Sequence, residues 1–193
     1  MKKIIVSILA GVMLFSSWGC SLTKEFNFYD FQMSKSAVEK AVRGWNIYTN
    51  GTWRYEVRMP TNWYTYKTDE NSIEIYFIPK EKEKDFNLGN YKGALNIKGV
   101  MNTKTKYDTV AYLNSLGKKD LLSGNYQQLE VSVGGQKGIL IKNADTFYKM
   151  SIDELVLNLG DRILDVYIYE KTPDVLAVLN SMIFYGNKVV DIK

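Results

Sequence analysis

The chain contains no histidine, one cysteine and three prolines among its 193 residues. Without histidine, Ser-His-Asp and Cys-His catalytic arrangements are excluded, and the commonest general base and metal ligand is missing. With a single cysteine no internal disulfide can form, and a zinc site would have to consist of carboxylates alone, which is unusual. The packing of its core must therefore hold the fold together.

Other catalytic patterns are missing as well. There is no phosphate-binding G-x-x-x-x-G-K-[ST] loop and no run of acidic residues dense enough for a calcium loop. The acidic pairs Asp69–Glu70 and Asp153–Glu154 are sequence neighbours, which face opposite sides of a strand, and Asp161 and Asp165 are expected at a turn and on a sheet surface. We predict no catalytic residue, no cofactor and no metal site.

The charge pattern argues against nucleic-acid binding. The full chain has 25 basic and 21 acidic residues, and removal of Lys2 and Lys3 would leave a net charge of +2. Nucleic-acid binders concentrate basic residues in a patch or stripe, whereas the lysines here are scattered among acidic residues. We expect no nucleic-acid partner.

The N-terminus has the layout of a bacterial secretory signal. "MKK" is a positive region, "IIVSILAGVMLF" an apolar region, and "SSWGC" follows it. The uncharged run of about 16 residues is short for a bilayer-spanning helix, which needs about 20. We predict a signal peptide over residues 1–19.

Gly19 followed by Cys20 resembles the end of a bacterial lipoprotein signal. In such proteins the cysteine sulfur receives a diacylglycerol, the leader is cut before it, and the new amine takes an acyl chain such as palmitate. Ser17 and Trp18 depart from the usual pattern, so an ordinary secretory signal and a retained anchor stay as alternatives. We predict a membrane-anchored extracytoplasmic lipoprotein, with a lipidated tether over residues 20–33 and one domain over 34–193.

Helices and strands alternate along the remaining chain. Helical spacing with capping residues predicts helices within 34–45, 107–117 and 172–184, the first capped by Ser36. Period-two patterns predict strands at 53–60, 72–79 and 94–101. Hairpins are predicted at 128–142 and 146–170, with a bulge near Asp153–Glu154. This order favours an α+β fold, a largely antiparallel β-sheet flanked by helices in an α/β/α sandwich.

Several of these segments resemble the PsbP-like superfamily, which includes a photosystem II extrinsic subunit and bacterial lipoproteins. They are "YEVRMPTNW", "DTVAYLNSL", "VSVGGQKGILI", "ILDVYIYE" and "VLNSMIF", which together lie within residues 45–185. The resemblance implies an antiparallel sheet with flanking helices. It also implies a non-catalytic accessory or assembly protein that acts through an unidentified envelope protein partner.

An aromatic cluster is the best candidate for a specific contact. It comprises Trp53, Tyr55, Trp63, Tyr64 and Tyr66. Packing in the core and in turns is the simpler interpretation, and Trp63 after Pro60 would close one end of the sheet. The alternative is an exposed patch of Trp63, Tyr64 and Tyr66 that binds a protein, a small molecule or a glycan.

The lipid at Cys20 is testable on its own. Expression of the full chain in a bacterium should give a protein that partitions into detergent and carries a mass gain of lipid size, because each buried methylene contributes about 0.8 kcal/mol to membrane binding. Cys20→Ser should lose both properties. A wild type without added mass, or two proteins that partition alike, would contradict the anchor.

Overall fold

The computed structural model describes residues 26–69, 73–87, 92–102, 108–116, 126–147 and 150–186. Three α-helices, one 3₁₀-helix and ten strands lie in this part of the chain. The α-helices are α1 (Lys35–Ala41), α2 (Thr109–Ser115) and α3 (Pro173–Asn180), and the 3₁₀-helix is Lys80–Asp85. The strands are β1 (Asn46–Asn50), β2 (Tyr55–Met59), β3 (Trp63–Lys67), β4 (Glu74–Pro79), β5 (Leu95–Met101), β6 (Gln128–Val133), β7 (Gln136–Phe147), β8 (Met150–Asn158), β9 (Arg162–Ile168) and β10 (Ile183–Phe184).

Two antiparallel sheets make up the fold. The large sheet has seven strands in the order β3-β4-β5-β9-β8-β7-β6, and the small sheet has the order β1-β2-β10. All paired strands run antiparallel. The predicted α+β class with a largely antiparallel sheet is therefore confirmed.

The large sheet is covered on both faces. On one face, α3 and the small sheet enclose the main core, in which α3 buries Val175, Val178 and Leu179 against Leu95 and Val166 of the sheet. On the other face, Tyr112 and Leu113 of α2 pack on Ile141, Val156 and Ile163. The alternation of side chains along each strand separates these two cores.

Each α-helix begins at a side chain that caps it. Asp108 and Thr172 accept hydrogen bonds from the backbone N–H groups of Ala111 and Val175, as the sequence predicts. The cap of α1 is Ser34 and not the predicted Ser36, because Ser34 has the extended backbone that a cap needs. None of the helices in the described ranges is long and apolar enough to cross a membrane.

Three strands were not predicted. Strand β1 is mostly exposed, β3 lies at the edge of the large sheet, and β10 has only two residues, so none of them shows a buried period-two pattern. These segments form strands because they pair with strands from other parts of the sequence. Strand β2 pairs Val57 with Tyr48 of β1 and Glu56 with Ile183 of β10.

The irregularity predicted near Asp153–Glu154 lies on the opposite strand. The register between β7 and β8 shifts between Ile141 and Asp145 of β7, whereas β8 continues without interruption. Asn143 takes a positive φ of 53° there, and its backbone N–H donates to Asp153 Oδ1 at 2.9 Å. The buried carboxylate therefore satisfies a donor that the bulge removes from the ladder.

Arg162 joins the two sheets. It is the first residue of β9 and is 5% exposed. Its Nε donates to the carbonyl of Trp53 at 2.8 Å and its Nη2 to the carbonyl of Tyr185 at 2.9 Å. These carbonyls lie just before β2 and just after β10, which meet at the same end of the small sheet because Phe184 pairs with Tyr55. One side chain therefore fixes that end of the small sheet to β9. Asp161 pairs with its Nη1 at 2.8 Å.

Strand β5 approaches the small sheet closely at Gly99. A Cβ atom at this position would overlap the indole ring of Trp53, which is 5% exposed in the main core. Gly99 has no positive φ, so the position needs glycine for space and not for backbone freedom. The flat ring lies directly against the bare backbone.

We expect Gly99→Ala to lower the free energy of unfolding by about 1–3 kcal/mol, because the added methyl must displace the ring of Trp53. Chemical denaturation would measure the change. Gly186→Ala is the matched control, since no heavy atom lies within 4 Å of its added Cβ. Equal stability of Gly99→Ala and the wild type would show that the ring is not held at this position.

Candidate functional site

The predicted site residues lie in three different environments. Cys20 is outside the described residues. Trp63 is 7% exposed and belongs to the main core, which leaves it out of any surface patch. Tyr64 is half-buried, and Tyr66 is 41% exposed. Trp53 and Tyr55 of the same sequence cluster are core residues.

Tyr66 belongs to a group of rings that the sequence does not place together. The ring centroid of Tyr66 lies 5.2 Å from that of Phe86 and 6.4 Å from that of Tyr76, and Tyr76 and Phe86 are 5.9 Å apart. Tyr66 of β3 lies directly opposite Tyr76 of β4 in the register of the two strands. Phe86 follows the end of the 3₁₀-helix and packs against both rings. We call Tyr64, Tyr66, Tyr76 and Phe86 the aromatic edge patch.

The hydroxyls of Tyr64 and Tyr76 stay protonated at neutral pH, because the pKa of each is raised. Burial and a hydrogen bond to Glu74, 2.9 Å away, raise the pKa of Tyr76. Burial and the charge of Glu83 raise the pKa of Tyr64. The patch therefore combines aromatic rings with the neutral hydroxyls of Tyr64 and Tyr76, next to a 3₁₀-helix of alternating lysines and acids.

Strand β3 also offers its backbone. It is the outermost strand of the large sheet, and within the described residues it pairs only with β4. Lys80 N–H donates to the carbonyl of Asn62, and Thr68 N–H donates to the carbonyl of Glu74. Alternate residues of an antiparallel strand form their backbone hydrogen bonds on the same side, so the backbone groups of Tyr64 and Tyr66 face β4. The backbone groups of Thr65 and Lys67 face outward, where a further strand could pair.

Two buried carboxylates lie beneath α2. Asp165 was expected on a sheet surface, but it is 0% exposed, as is Glu154. The hydroxyl of Tyr112 in α2 donates to Asp165 Oδ2 at 2.9 Å, and that of Tyr167 donates to the same oxygen at 3.2 Å. The side chain at 165 is buried because α2 covers this part of the sheet, a contact that strand periodicity does not reveal.

Asp153 and Glu154 lie on opposite faces of β8, as predicted, and both are 0% exposed. Lys171 Nζ lies 3.3 Å from Asp153 Oδ1 on the main-core side. The two carboxylates therefore cannot act together on one substrate. The described residues contain no group of three or more acidic or cysteine side chains placed to hold a metal ion.

A groove of about 880 Å³ lies between α1, the end of α3 and the turn of the β6–β7 hairpin. Its apolar surface includes Val38, Val42 and Met182, and its cations include Arg43 and Arg58. No aromatic ring is among the described residues that line it. This lining suits an anionic molecule with an apolar part better than a sugar, which usually stacks on rings.

Comparison with known proteins gives limited similarity. No protein-family model and no curated protein matches the chain. A solution structure of a cyanobacterial PsbP (CyanoP) from Synechocystis is similar with 16% identity and a TM-score of 0.46, over 72% of this chain and 92% of that chain. A crystal structure from Bacteroides thetaiotaomicron is similar with 14% identity and a TM-score of 0.45, over 72% of this chain. The match spans only 47% of that second protein.

The resemblance to PsbP-like proteins noted in the sequence thus has a counterpart among solved structures. At this identity and TM-score the likeness assigns neither an activity nor a partner to the chain. The local geometry of its own residues must supply the functional argument.

We expect Tyr112→Phe to lower the free energy of unfolding by about 1–3 kcal/mol, because it removes a donor to the buried carboxylate of Asp165. Tyr66→Phe is the matched control and should change stability by less than about 0.5 kcal/mol, because its ring is exposed. Denaturant unfolding at neutral pH measures both. Equal effects would contradict the role of the Tyr112 hydroxyl.

The same hydrogen bonds predict a loss of stability at alkaline pH. Burial and then the charge of Asp165 raise the pKa of both Tyr112 and Tyr167 above that of an unfolded tyrosine. The stabilisation is complete below pH of about 10 and declines as the pH rises further, because the unfolded state then releases the proton first. The decline should be less steep in Tyr112→Phe.

Proposed function

We propose that the protein is a bacterial membrane-anchored lipoprotein that acts outside the cytoplasm as a non-catalytic accessory or assembly factor, through contact with an envelope protein. The open edge of β3 and the aromatic edge patch would form that contact. The observation that carries the proposal is the exposure of Tyr66 beside outward-facing backbone groups on one edge strand.

The chemistry of the described residues supports a binding role. The chain has no histidine, and the carboxylates Asp153, Glu154 and Asp165 are fully buried, where a substrate in solution does not reach them. Exposed aromatic side chains, in contrast, are enriched at protein interfaces because they give large contact area at low entropic cost.

The form of the contact follows from the strand. A partner strand added to β3 would bond to the N–H and C=O groups of Thr65 and Lys67, as in β-strand addition. Tyr64 and Tyr66 would pack beside it on one face. Main-chain bonds would supply affinity in this mode, and the rings would supply selectivity.

A small-molecule or glycan-binding module is the second candidate. The groove beside α1 supports it, because its volume lies within the range of ligand pockets. Its cations favour an anionic ligand over a neutral glycan. This function would use residues on the other side of the small sheet from β3.

Two variants should weaken partner capture by crosslinking from native membranes. Thr65→Pro removes an outward N–H without removing a bond to β4, and Tyr66→Ala removes the exposed ring. Together they should reduce recovery of the crosslinked partner about 10-fold, which corresponds to about 1.4 kcal/mol.

Two controls make the test specific. Thr65→Val keeps the N–H and the branched shape, so it should capture the partner as the wild type does. Val38→Trp fills the groove and should also leave capture unchanged. If the groove variant alone loses the partner, the contact lies at the groove and the proposal for β3 is wrong.

A further inference from the structure

The segment before α1 is fixed to the domain. Phe28 and Phe31 are each 4% exposed in the main core, with their ring centroids 6.0 Å apart. The side chain of Asn180 in α3 donates to the carbonyl of Phe31 at 2.9 Å and accepts from the N–H of Met33 at 3.2 Å. The predicted tether over 20–33 therefore packs on the domain in its second half.

This segment packs along one edge of the large sheet, at its outermost strand β6. A shallow cleft there brings Tyr29–Gln32 against Leu129–Val131 of β6, the outermost strand. Lys142 of the neighbouring β7 places its Nζ 3.6 Å from the ring centre of Tyr29. The chain thus joins the domain at the β6 edge, opposite the β3 edge.

Two lengths then limit how the domain can sit. Six residue steps separate Cys20 from Phe26, so an extended chain spans at most about 22 Å between them. The seven strands of the large sheet are about 4.8 Å apart, which places the β3 edge about 29 Å from the β6 edge. Even fully extended, the chain from Cys20 to Phe26 is shorter than the sheet is wide.

We propose that the β6 edge faces the lipid headgroups and that the aromatic edge patch faces away from the bilayer. The inference rests on the lipid anchor of the proposed function. A domain standing on its β3 edge would need a tether longer than the sheet is wide, and the six available steps do not provide it. The partner of β3 would therefore be met at a distance from the membrane surface.

Single added cysteines can measure this orientation on the full lipidated protein. Cys20 is the only cysteine, and its sulfur would be consumed by the lipid, so an added cysteine is the only free thiol. Glu130→Cys lies on β6 and Lys67→Cys lies on β3, and both positions are exposed. Across the seven strands the register aligns Lys67 with Leu129, the residue next to Glu130, so the two labels lie at about the same height along the strands. The added cysteine of each variant is labelled with a fluorescent donor, and the protein is placed in phospholipid vesicles whose headgroups carry an acceptor. Energy transfer then quenches the donor more strongly the closer it lies to the headgroups.

The donor at 130 should be quenched at least about twofold more than the donor at 67, because about 29 Å of sheet separates them. A flexible Gly/Ser insertion of about 15 residues between Thr23 and Lys24 should remove most of the difference, because such a linker allows free reorientation.

The outcomes separate the two proposals. If the protein carries lipid by mass but both donors are quenched equally, the orientation is wrong and the lipid anchor stands. If the protein carries no lipid, the anchor is wrong and the orientation falls with it. Stronger quenching at 130 in the lipidated protein, lost on insertion, supports both.

Discussion

The buried guanidinium of Arg162 is the interaction on which the arrangement of the two sheets depends. Arg162 begins strand β9 of the large sheet and donates to the carbonyls of Trp53 and Tyr185, which lie together at one end of the small sheet. Burial alone would raise the pKa of the adjacent Asp161 carboxyl, but hydrogen bonds from Arg54 and Arg162 lower it. The carboxylate therefore remains charged and keeps the guanidinium compensated, as a buried charge requires.

The two faces of the large sheet carry different chemistry. One face is apolar and packs on α3 and the small sheet, with Trp53 lying on the bare backbone of Gly99. The other combines a small apolar cluster with the Tyr112–Asp165 hydrogen bond beneath α2. Helices or the second sheet cover parts of both faces, and the proposed contact with a partner is therefore assigned to the edge of β3 and not to a face.

Much of this fold could be predicted because its helices and strands follow regular local patterns. The features that depend on contacts between distant segments could not be predicted. Period-two strands and the caps at Asp108 and Thr172 could be recognised because each is encoded within a few residues. The strand β3 and the meeting of Tyr66 with Phe86 depend on pairing across the sheet. The burial of Asp165 depends on α2, which lies about 50 residues earlier, so no local pattern signals it.

The pairing of β10 with β2 has a consequence for how the chain reaches this structure. These strands come from opposite ends of the domain, with Ile183 opposite Glu56, and β5 likewise must wait for β9. Loop closure over such separations is slow compared with local folding. A chain that emerges N-terminus first cannot complete either sheet until β9 and β10 have emerged, and it stays incompletely folded until those strands are available.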